Sequence, residues 1–162
     1  MNDIIIHQVT EIDWNTLKTI RLESLKESPL AFLATYEYVK THDELQWREL
    51  ASAKSFVQFF LAIKDNQTIG IIGGMQNAIL QFHLVAMWVN PQFRGCGISD
   101  CLIEAIKNFA TFKKYQSVFL NVSSKNSRAF HFYIRHGFTL ITEQNITLLN
   151  SDESSQKMQC FL

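Results

Sequence analysis

The sequence predicts a single α/β domain over residues 1–162, with a mixed central sheet that begins with antiparallel strands and with helices on both faces. Three β-rich runs separated by turn-forming residues follow one another between residues 56 and 89. From residue 98 onward, helix-like and strand-like segments alternate, which is typical of strands joined by crossover helices. With 47% hydrophobic residues, a chain of 162 residues can fill one core, because it buries about two thirds of its unfolded surface.

Three helical segments precede the strands. The predicted helices extend over residues 14–27, over residues 29–38, and from residue 42 to about residue 53. Asp13 is placed to cap the first helix, and Ser28 followed by a proline fits the start of the second. Thr41 and Glu44 have the spacing of a capping box for the third.

The remaining elements follow from alternation, apolar spacing and turn residues. The predicted strands cover residues 56–63, 69–75, 79–89 and 116–122, followed by one that begins near residue 138 and one over residues 158–162. Asp65, Asn66 and Gln67 form a turn cluster that predicts a hairpin between the first two strands. Residues 98–112 and 126–136 have helical spacing, and the polar residues 150–157 predict a loop.

Composition excludes several functional classes. Fifteen basic and fifteen acidic side chains leave no net charge, so the excess of positive charge typical of nucleic-acid binding is missing. Cys96, Cys101 and Cys160 show no CxxC spacing, which argues against a disulfide framework and a zinc cluster. We expect no signal peptide, because residues 1–9 lack a basic segment and a small-residue cleavage site, and we expect no membrane-spanning helix, because no run of about 18 apolar residues occurs. We therefore expect a cytoplasmic protein with no metal, no nucleic acid and no membrane partner.

Residues 88–99 lead from an apolar strand through a glycine-containing turn directly into a helix. Such a junction presents free backbone N–H groups and the positive end of the helix dipole, a combination that binds phosphate. A plain strand-to-helix connection without a ligand is the alternative. The sequence is not a P-loop, because Gly97 is followed by Ile98 and Ser99, and Asp100 replaces the third glycine of a Rossmann fingerprint.

Two motifs resemble those of the GNAT acetyltransferases, and the resemblance extends over nearly the whole chain. Residues 92–97, Gln-Phe-Arg-Gly-Cys-Gly, match the signature Gln/Arg-x-x-Gly-x-Gly/Ala. Residues 126–138 look like the second cofactor motif, and residues 87–91 look like the fourth strand of the family. Residues 21–32 also look like a bacterial subgroup of uncertain substrate.

The resemblance implies an enzyme that transfers the acetyl group of acetyl-CoA directly to a primary amine of a small molecule, peptide or protein. It implies that loop amides and the Arg94 side chain bind the pyrophosphate, while the fourth strand pairs with pantetheine and its amide near Trp88 polarises the thioester carbonyl. The cofactor-binding residues implied in this way are Met87, Trp88, Val89, Gln92, Arg94, Gly95, Cys96, Gly97, Ile98, Ser99, Asn126 and Tyr133. The alternative is a CoA-binding regulatory or sensor domain without transfer activity.

Two side chains are candidate catalytic residues. In the family, the tyrosine that matches Tyr133 protonates the departing thiolate, a role that suits a phenol with a pKa of about 10. Judged by position alone, Tyr133 would pack as ordinary core beside Phe130 and Phe132. His83 is the candidate general base, with a water relay or a purely structural histidine as the alternatives. It shares a strand face with Met87 unless a bulge changes the alternation.

The acceptor site is expected at the first helices and the loop that connects them. By resemblance, the candidate wall residues are Phe32, Tyr36 and Glu37. The two aromatic residues could instead pack one helix face. The sequence does not identify the acceptor amine, and it is compatible with a monomer or a homodimer.

Overall fold

The computed structural model describes residues 3–142 and 155–162. The strands are β1 (Ile5–Gln8), β2 (Val57–Lys64), β3 (Gln67–Gln76), β4 (Phe82–Val89), β5 (Ser117–Ser123), β6 (Thr139–Leu140) and β7 (Ser155–Phe161). They form one seven-stranded sheet in the order β1-β2-β3-β4-β5-β7-β6. Neighbouring strands are antiparallel except β4 and β5, which are parallel. The predicted mixed sheet with antiparallel first strands is confirmed.

Helices cover both faces of this sheet, as predicted. The helices are α1 (Trp14–Glu27), α2 (Tyr36–Val39), α3 (Glu44–Ala51), α4 (Ile98–Phe112) and α5 (Ser127–Arg135). Alternate residues of β2 belong to two separate cores, because successive side chains of a strand point to opposite faces. Phe59 and Leu61 pack with residues of α1 and α3, whereas Phe60 and Ala62 pack with residues of α4.

The second helix is shorter than predicted. It begins at Tyr36, and the Thr35 side chain caps it by accepting a hydrogen bond from the Tyr38 amide. Residues 28–35 form turns and bends instead. Leu30 and Leu33 are fully exposed there, so neither leucine contributes buried apolar surface that could stabilise a short helix.

The capping box of the third helix lies two residues later than predicted. Gln46 N donates to Asp43 Oδ1 over 2.8 Å, and Asp43 N donates to Gln46 Oε1 over 2.9 Å. Thr41 is not the cap, because its hydroxyl donates to the Tyr38 carbonyl. Asp13 does precede α1, but its carboxylate binds the backbone and side chain of Thr10 rather than capping that helix.

Three strands also differ from the prediction. β1 was not predicted as a strand. β4 begins three residues later than predicted, because the Asn77 side chain accepts hydrogen bonds from the amides of Ile79 and Gln81 and holds a turn there. β7 begins at Ser155, so residues 155–157 are strand rather than loop. The rest of the predicted loop, residues 150–154, lies outside the described residues.

A bulge interrupts β4 where the candidate site begins. Trp88 pairs with Ile71, but Val85 pairs with Gly73, so β4 holds one extra residue in this interval. Ala86 has a φ of 55°, a left-handed conformation that a regular strand does not contain. The bulge reverses the alternation of side chains, and Trp88 therefore shares the core of Val85. His83 and Met87 consequently do not share a face.

Candidate functional site

The candidate site is the gap that opens between β4 and β5. These strands pair only at Phe82 with Val118 and at His83 with Phe119. Beyond these pairs they diverge around a cavity of ≈ 1240 Å³, which β4 lines on one side and residues 120–123 line on the other. Within the described residues, β4 has no strand partner along this edge, so backbone groups there are available to an extended ligand.

At one end of the gap, a glycine turn leads into α4. Gly95 and Gly97 have φ angles of 81° and 78°, which favour glycine, and both line the cavity. Gly97 is the N-cap of α4 and supplies no side-chain cap. The amides of the first turn of α4 thus lack both intrahelical acceptors and a capping group. The predicted succession of strand, glycine turn and helix is present, and its role in phosphate binding stays a prediction.

The charged side chains that line the cavity are mostly basic. In the described ranges they are Arg94, Asp100, Lys125, Arg128 and Arg135, with His131 also in the lining. The three basic residues of the α5 region, Lys125, Arg128 and Arg135, were not among the predicted site residues. For two of them the sequence does contain an indication. Positions 128 and 135 are seven residues apart, a spacing that places both side chains on one face of a helix. The arrangement suits a ligand with several negative charges.

Among the described residues, Asp100 is the one carboxylate in this lining, and a histidine binds it. His136 Nε2 lies 2.8 Å from Asp100 Oδ1, which ties the first turn of α4 to the end of α5. Lys107 Nζ in turn donates to the His136 carbonyl over 2.7 Å. The contact gives the Asp100 carboxylate a partner at the helix start, where a carboxylate would repel a bound anion.

A second cluster joins the end of α1 to the glycine turn. Glu27 Oε2 accepts hydrogen bonds from Trp88 Nε1 at 2.7 Å, from Arg94 Nη2 at 2.9 Å and from the Ser28 hydroxyl. Arg94 Nε also donates to the Val89 carbonyl. The hydrogen bonds from Ser28, Trp88 and Arg94 lower the pKa of Glu27. Glu27 was not predicted as a site residue, because its partners Trp88 and Arg94 lie 61 and 67 residues away in the chain.

Tyr133 both packs in the core and lines the cavity. Its ring makes edge contacts with Phe132 and Phe138, at centroid distances of 5.4 and 5.6 Å. Only 8% of the residue is exposed, and burial raises the pKa of its phenol. Asn126 also lines the cavity, but its side chain caps α5 by accepting from the Ala129 amide over 3.1 Å.

His83 lies at the closed end of the gap, where β4 and β5 still pair. Its Nε2 is 3.0 Å from Asn77 Nδ2 and 3.4 Å from Gln81 Oε1, and its ring stacks on Phe119. Burial and the nearby Lys157 lower the pKa of His83, which favours the neutral imidazole. His83 is not part of the cavity lining.

The structure brings together most, but not all, of the predicted site residues. Those in the cavity lining are Phe32, Met87, Trp88, Val89, Arg94, Gly95, Gly97, Ser99, Asn126 and Tyr133. Those outside it are Tyr36, Glu37, His83, Gln92, Cys96 and Ile98. Ile98 is 1% exposed and packs in the core beneath α4, while Glu37 forms an ion pair with Lys40.

Neither a membrane segment nor a metal cluster is found in the described part of the chain. No helix within residues 3–142 and 155–162 has the length and apolar character needed to cross a bilayer. In the same residues, no three His, Cys, Asp or Glu side chains are grouped as metal ligands.

Solved structures of acetyltransferases have the same fold. PaiA N-acetyltransferase from Thermoplasma acidophilum, in complex with coenzyme A, is 21% identical with a TM-score of 0.73, and the match covers 99% of each chain. An acetyltransferase from Streptococcus agalactiae 2603 is 20% identical with a TM-score of 0.73, covering 100% of each. Ard1 from Thermoplasma volcanium is 18% identical with a TM-score of 0.68, covering 98% of this chain and 97% of that one.

Sequence comparison identifies the family. N-acetyltransferase 8F1 of Rattus norvegicus is 27% identical over 95 residues, which are 56% of this chain and 43% of the rat protein. The chain thus spans less than half the length of this curated relative. The model of the acetyltransferase (GNAT) domain matches residues 55–140, more than half of the chain. The match includes β4, the glycine turn, α4 and α5. The chain therefore belongs to the GNAT acetyltransferase family.

Proposed function

We propose that this chain transfers the acetyl group of acetyl-CoA to a primary amine by direct attack, without a covalent enzyme intermediate. The observation that carries the proposal is the gap between β4 and β5, which leads to the uncapped start of α4. An extended pantetheine arm fits a gap with free backbone groups, and its phosphates fit a helix start. Membership of an acetyltransferase family supports the same assignment.

The size and the charge of the cavity support this proposal. Its volume of ≈ 1240 Å³ exceeds the range of about 300–1,000 Å³ typical of small-molecule pockets. In this proposal, the amides from Arg94 to Ser99 bind the pyrophosphate, and Cys96 and Ile98 take part through their amides alone. The basic side chains around α5 face the remaining phosphate charge. The role of Gln92, whose side chain is exposed, stays a prediction.

We assign the polarisation of the thioester carbonyl to β4. The backbone of Met87, Trp88 and Val89 pairs with the pantetheine arm, and the amide near Trp88 donates to the oxygen that gains negative charge. The bulge at Ala86 sets the direction of these groups. The hydrogen bond between the Trp88 indole and Glu27 holds this part of the strand in place.

Tyr133 is the proposed general acid. It lines the cavity near the strand that would hold the thioester. Burial raises the pKa of its phenol, so the proton remains available at neutral pH and can be donated to the departing thiolate. Acetyl-CoA supplies the activated acetyl group for this reaction.

The acceptor, which is an ammonium ion in neutral water, must lose a proton before or during the attack, and His83 remains the candidate base. A lowered pKa keeps its imidazole neutral, the form that accepts a proton. Because His83 lies outside the cavity lining, the proton must reach it through water. A relay of water without His83 is the alternative, and the effect of His83→Asn on the pH profile of kcat/KM distinguishes the two.

We assign the acceptor side of the cavity to residues 28–32 and β4, which are part of its lining. Phe32 lies in this wall, which supports its predicted role. Tyr36 and Glu37 lie outside the lining, so their role in binding the acceptor stays a prediction.

A thiol-release assay tests the proposed function. Acetyl-CoA is supplied with a panel of amino acids, amino-acid amides, polyamines, aminoglycosides and peptides, and products are identified by mass spectrometry. Release of CoA that depends on an amine, together with an N-acetylated product, would establish transfer. Calorimetric binding of CoA with no turnover on any amine would instead identify a CoA-binding sensor domain.

A further inference from the structure

Arg21, on α1, has a buried guanidinium nitrogen without a partner. Its Nη1 makes no hydrogen bond to any residue in the described ranges. Burial lowers the pKa of Arg21 to about 10. Buried side-chain polar atoms usually have a hydrogen-bond partner, and a buried cation without an anion is unfavourable. A ligand group with negative charge would complete this site.

This guanidinium lies next to the acceptor side of the cavity. Arg21 Cζ is 4.9 Å from the centre of the Phe32 ring, and Phe32 lines the cavity. The contact has the geometry of a cation–π interaction, which holds a guanidinium plane against a ring face. One aromatic side chain therefore separates Arg21 from the space that an acceptor would occupy.

The charges around the cavity disfavour a polycationic acceptor. The lining on the acceptor side, residues 28–32 and 84–89, contains no charged side chain. Glu27, the carboxylate beside this wall, already accepts from Ser28, Trp88 and Arg94. An acceptor with several ammonium groups would thus find no free carboxylate in the described wall. An acceptor with one anionic group would find the Arg21 guanidinium directly behind Phe32.

We infer that Arg21 selects acceptor amines that also carry a carboxylate, by binding this group through its free guanidinium nitrogen. The inference rests on the proposed acetyl transfer and names the class of its acceptor, such as an amino acid or an acidic peptide end. Arginine binds planar carboxylates well, and one guanidinium balances a single negative charge. A phosphate, which carries close to two charges at neutral pH, would need a second cation.

Matched pairs of acid and amide test the inference. The kcat/KM values of β-alanine and of longer ω-amino acids are compared with those of the corresponding primary amides. Calorimetry then measures the affinity of the N-acetylated products, acid and amide, for the CoA-bound protein. These products carry no free amine, so their affinities report the carboxylate alone. We expect the acids to be favoured about 10- to 100-fold in both measurements.

Three variants connect this preference to the side chain. Arg21→Gln removes the charge, and we expect the ratio of acid to amide to approach one. Arg21→Lys keeps a charge but loses the planar donor group, so part of the preference should remain. Lys26→Gln removes an exposed cation from the same helix and should leave the ratio unchanged. If Arg21→Gln does not fold, the ratio of acid to amide in the wild type and in Arg21→Lys still tests the inference.

Several outcomes would overturn the inference. Equal affinity for acid and amide products, absence of binding by the acid product, or an unchanged ratio in a folded Arg21→Gln protein would each do so. A preference for a polyamine or for phosphoethanolamine would also overturn the inference, but it would leave acetyl transfer established. A preference for the acid product without turnover on any amine would support the carboxylate site and refute the proposed transfer.

Discussion

Tyr133 lies between Phe132 and Phe138, with one side of the residue at the cavity. No hydrogen bond of its hydroxyl is found within the described part of the chain, so the ring packs while the hydroxyl stays available. Because burial raises the pKa of the phenol, its protonation should not change across the usual pH range of an assay. A fall in turnover at high pH would therefore come from another group.

We expect Tyr133→Phe to lower kcat by about 10²-fold if the phenol donates the proton. The melting temperature should change little, because the ring and its packing remain. Steady-state kinetics and thermal melts measure both effects. Tyr115→Phe is the matched control, since Tyr115 packs against Phe82 away from the cavity lining. An unchanged kcat with chemistry shown to be rate-limiting would rule out the acid role.

Glu27 provides a pH-dependent contribution to stability. The folded protein lowers the pKa of Glu27 below its usual 4.5, so the ionised carboxylate is favoured in the folded state. A depressed pKa stabilises the fold above the unfolded pKa, and this contribution disappears as the pH falls through the folded pKa. The affected window therefore lies below about pH 4.5.

We expect Glu27→Gln to be less stable than the wild type at neutral pH and to approach it in acid. The free energy of unfolding, measured in urea from pH 7 to about pH 3, checks this difference. Glu49→Gln, on the exposed surface of α3, is the control and should show no such convergence. A stability difference that stays constant over this range would contradict the assignment of the low pKa to Glu27.

At the scale of elements, the turn before α4 depends on glycine at position 97. Its φ of 78° is unfavourable for other residues, and within 4 Å of an added Cβ only Asp100 Oδ2 is found, at 3.9 Å. The protein thus has room for a methyl group there. A ligand at the amides of this turn would occupy the same space.

We expect Gly97→Ala to cost about 1 kcal/mol of stability and to raise the Kd of acetyl-CoA about tenfold. Gly137→Ala is the matched control, because Gly137 has a φ of 85° and lies outside the cavity lining. It should lose similar stability and keep its affinity. Calorimetry on both folded variants measures the difference, and equal affinities would refute the phosphate site.

Periodic segments were predictable, and irregular ones were not. The helix over residues 14–27 was predicted with its observed bounds, because its apolar spacing repeats over several turns. The short strand β1 and the turns of residues 28–35 lack such a repeat. The bulge in β4 could not be predicted either. Its residue with a positive φ is Ala86, and alanine seldom adopts this conformation, so its presence does not indicate a bulge. The role of Glu27 depends on hydrogen bonds with residues far away in the chain, and the spacing of residues along the sequence does not reveal such contacts.

At the scale of the whole molecule, the sheet consists of two groups of strands that meet along a short junction. β1–β4 lie on one side, and β5, β7 and β6 lie on the other. Among the described residues, only two pairs join the two groups, at positions 82–83 and 118–119. A ligand bound in the gap would extend this junction by pairing with β4.

We expect the peptide that contains residues 84–89 to exchange its amide hydrogens faster than residues 58–61 of β2. About half of its amides should face the gap, because alternate groups of a strand point to opposite neighbours. Acetyl-CoA should slow their exchange and leave residues 58–61 unchanged. Hydrogen-exchange mass spectrometry measures both peptides. No protection on addition of saturating acetyl-CoA would refute pairing along β4.

The narrow junction between the two strand groups also bears on the order of folding. The antiparallel pairs of β2, β3 and β4 join segments close in the chain, whereas β4 meets β5 only after α4 has crossed the sheet. Pairs that close a longer loop form at a greater entropic cost, so we expect the parallel pair to form late. Phe82 and Val118 should then have low φ-values, and their truncation should mainly speed unfolding. A partly folded chain would thus contain its hairpins before it contains a cavity.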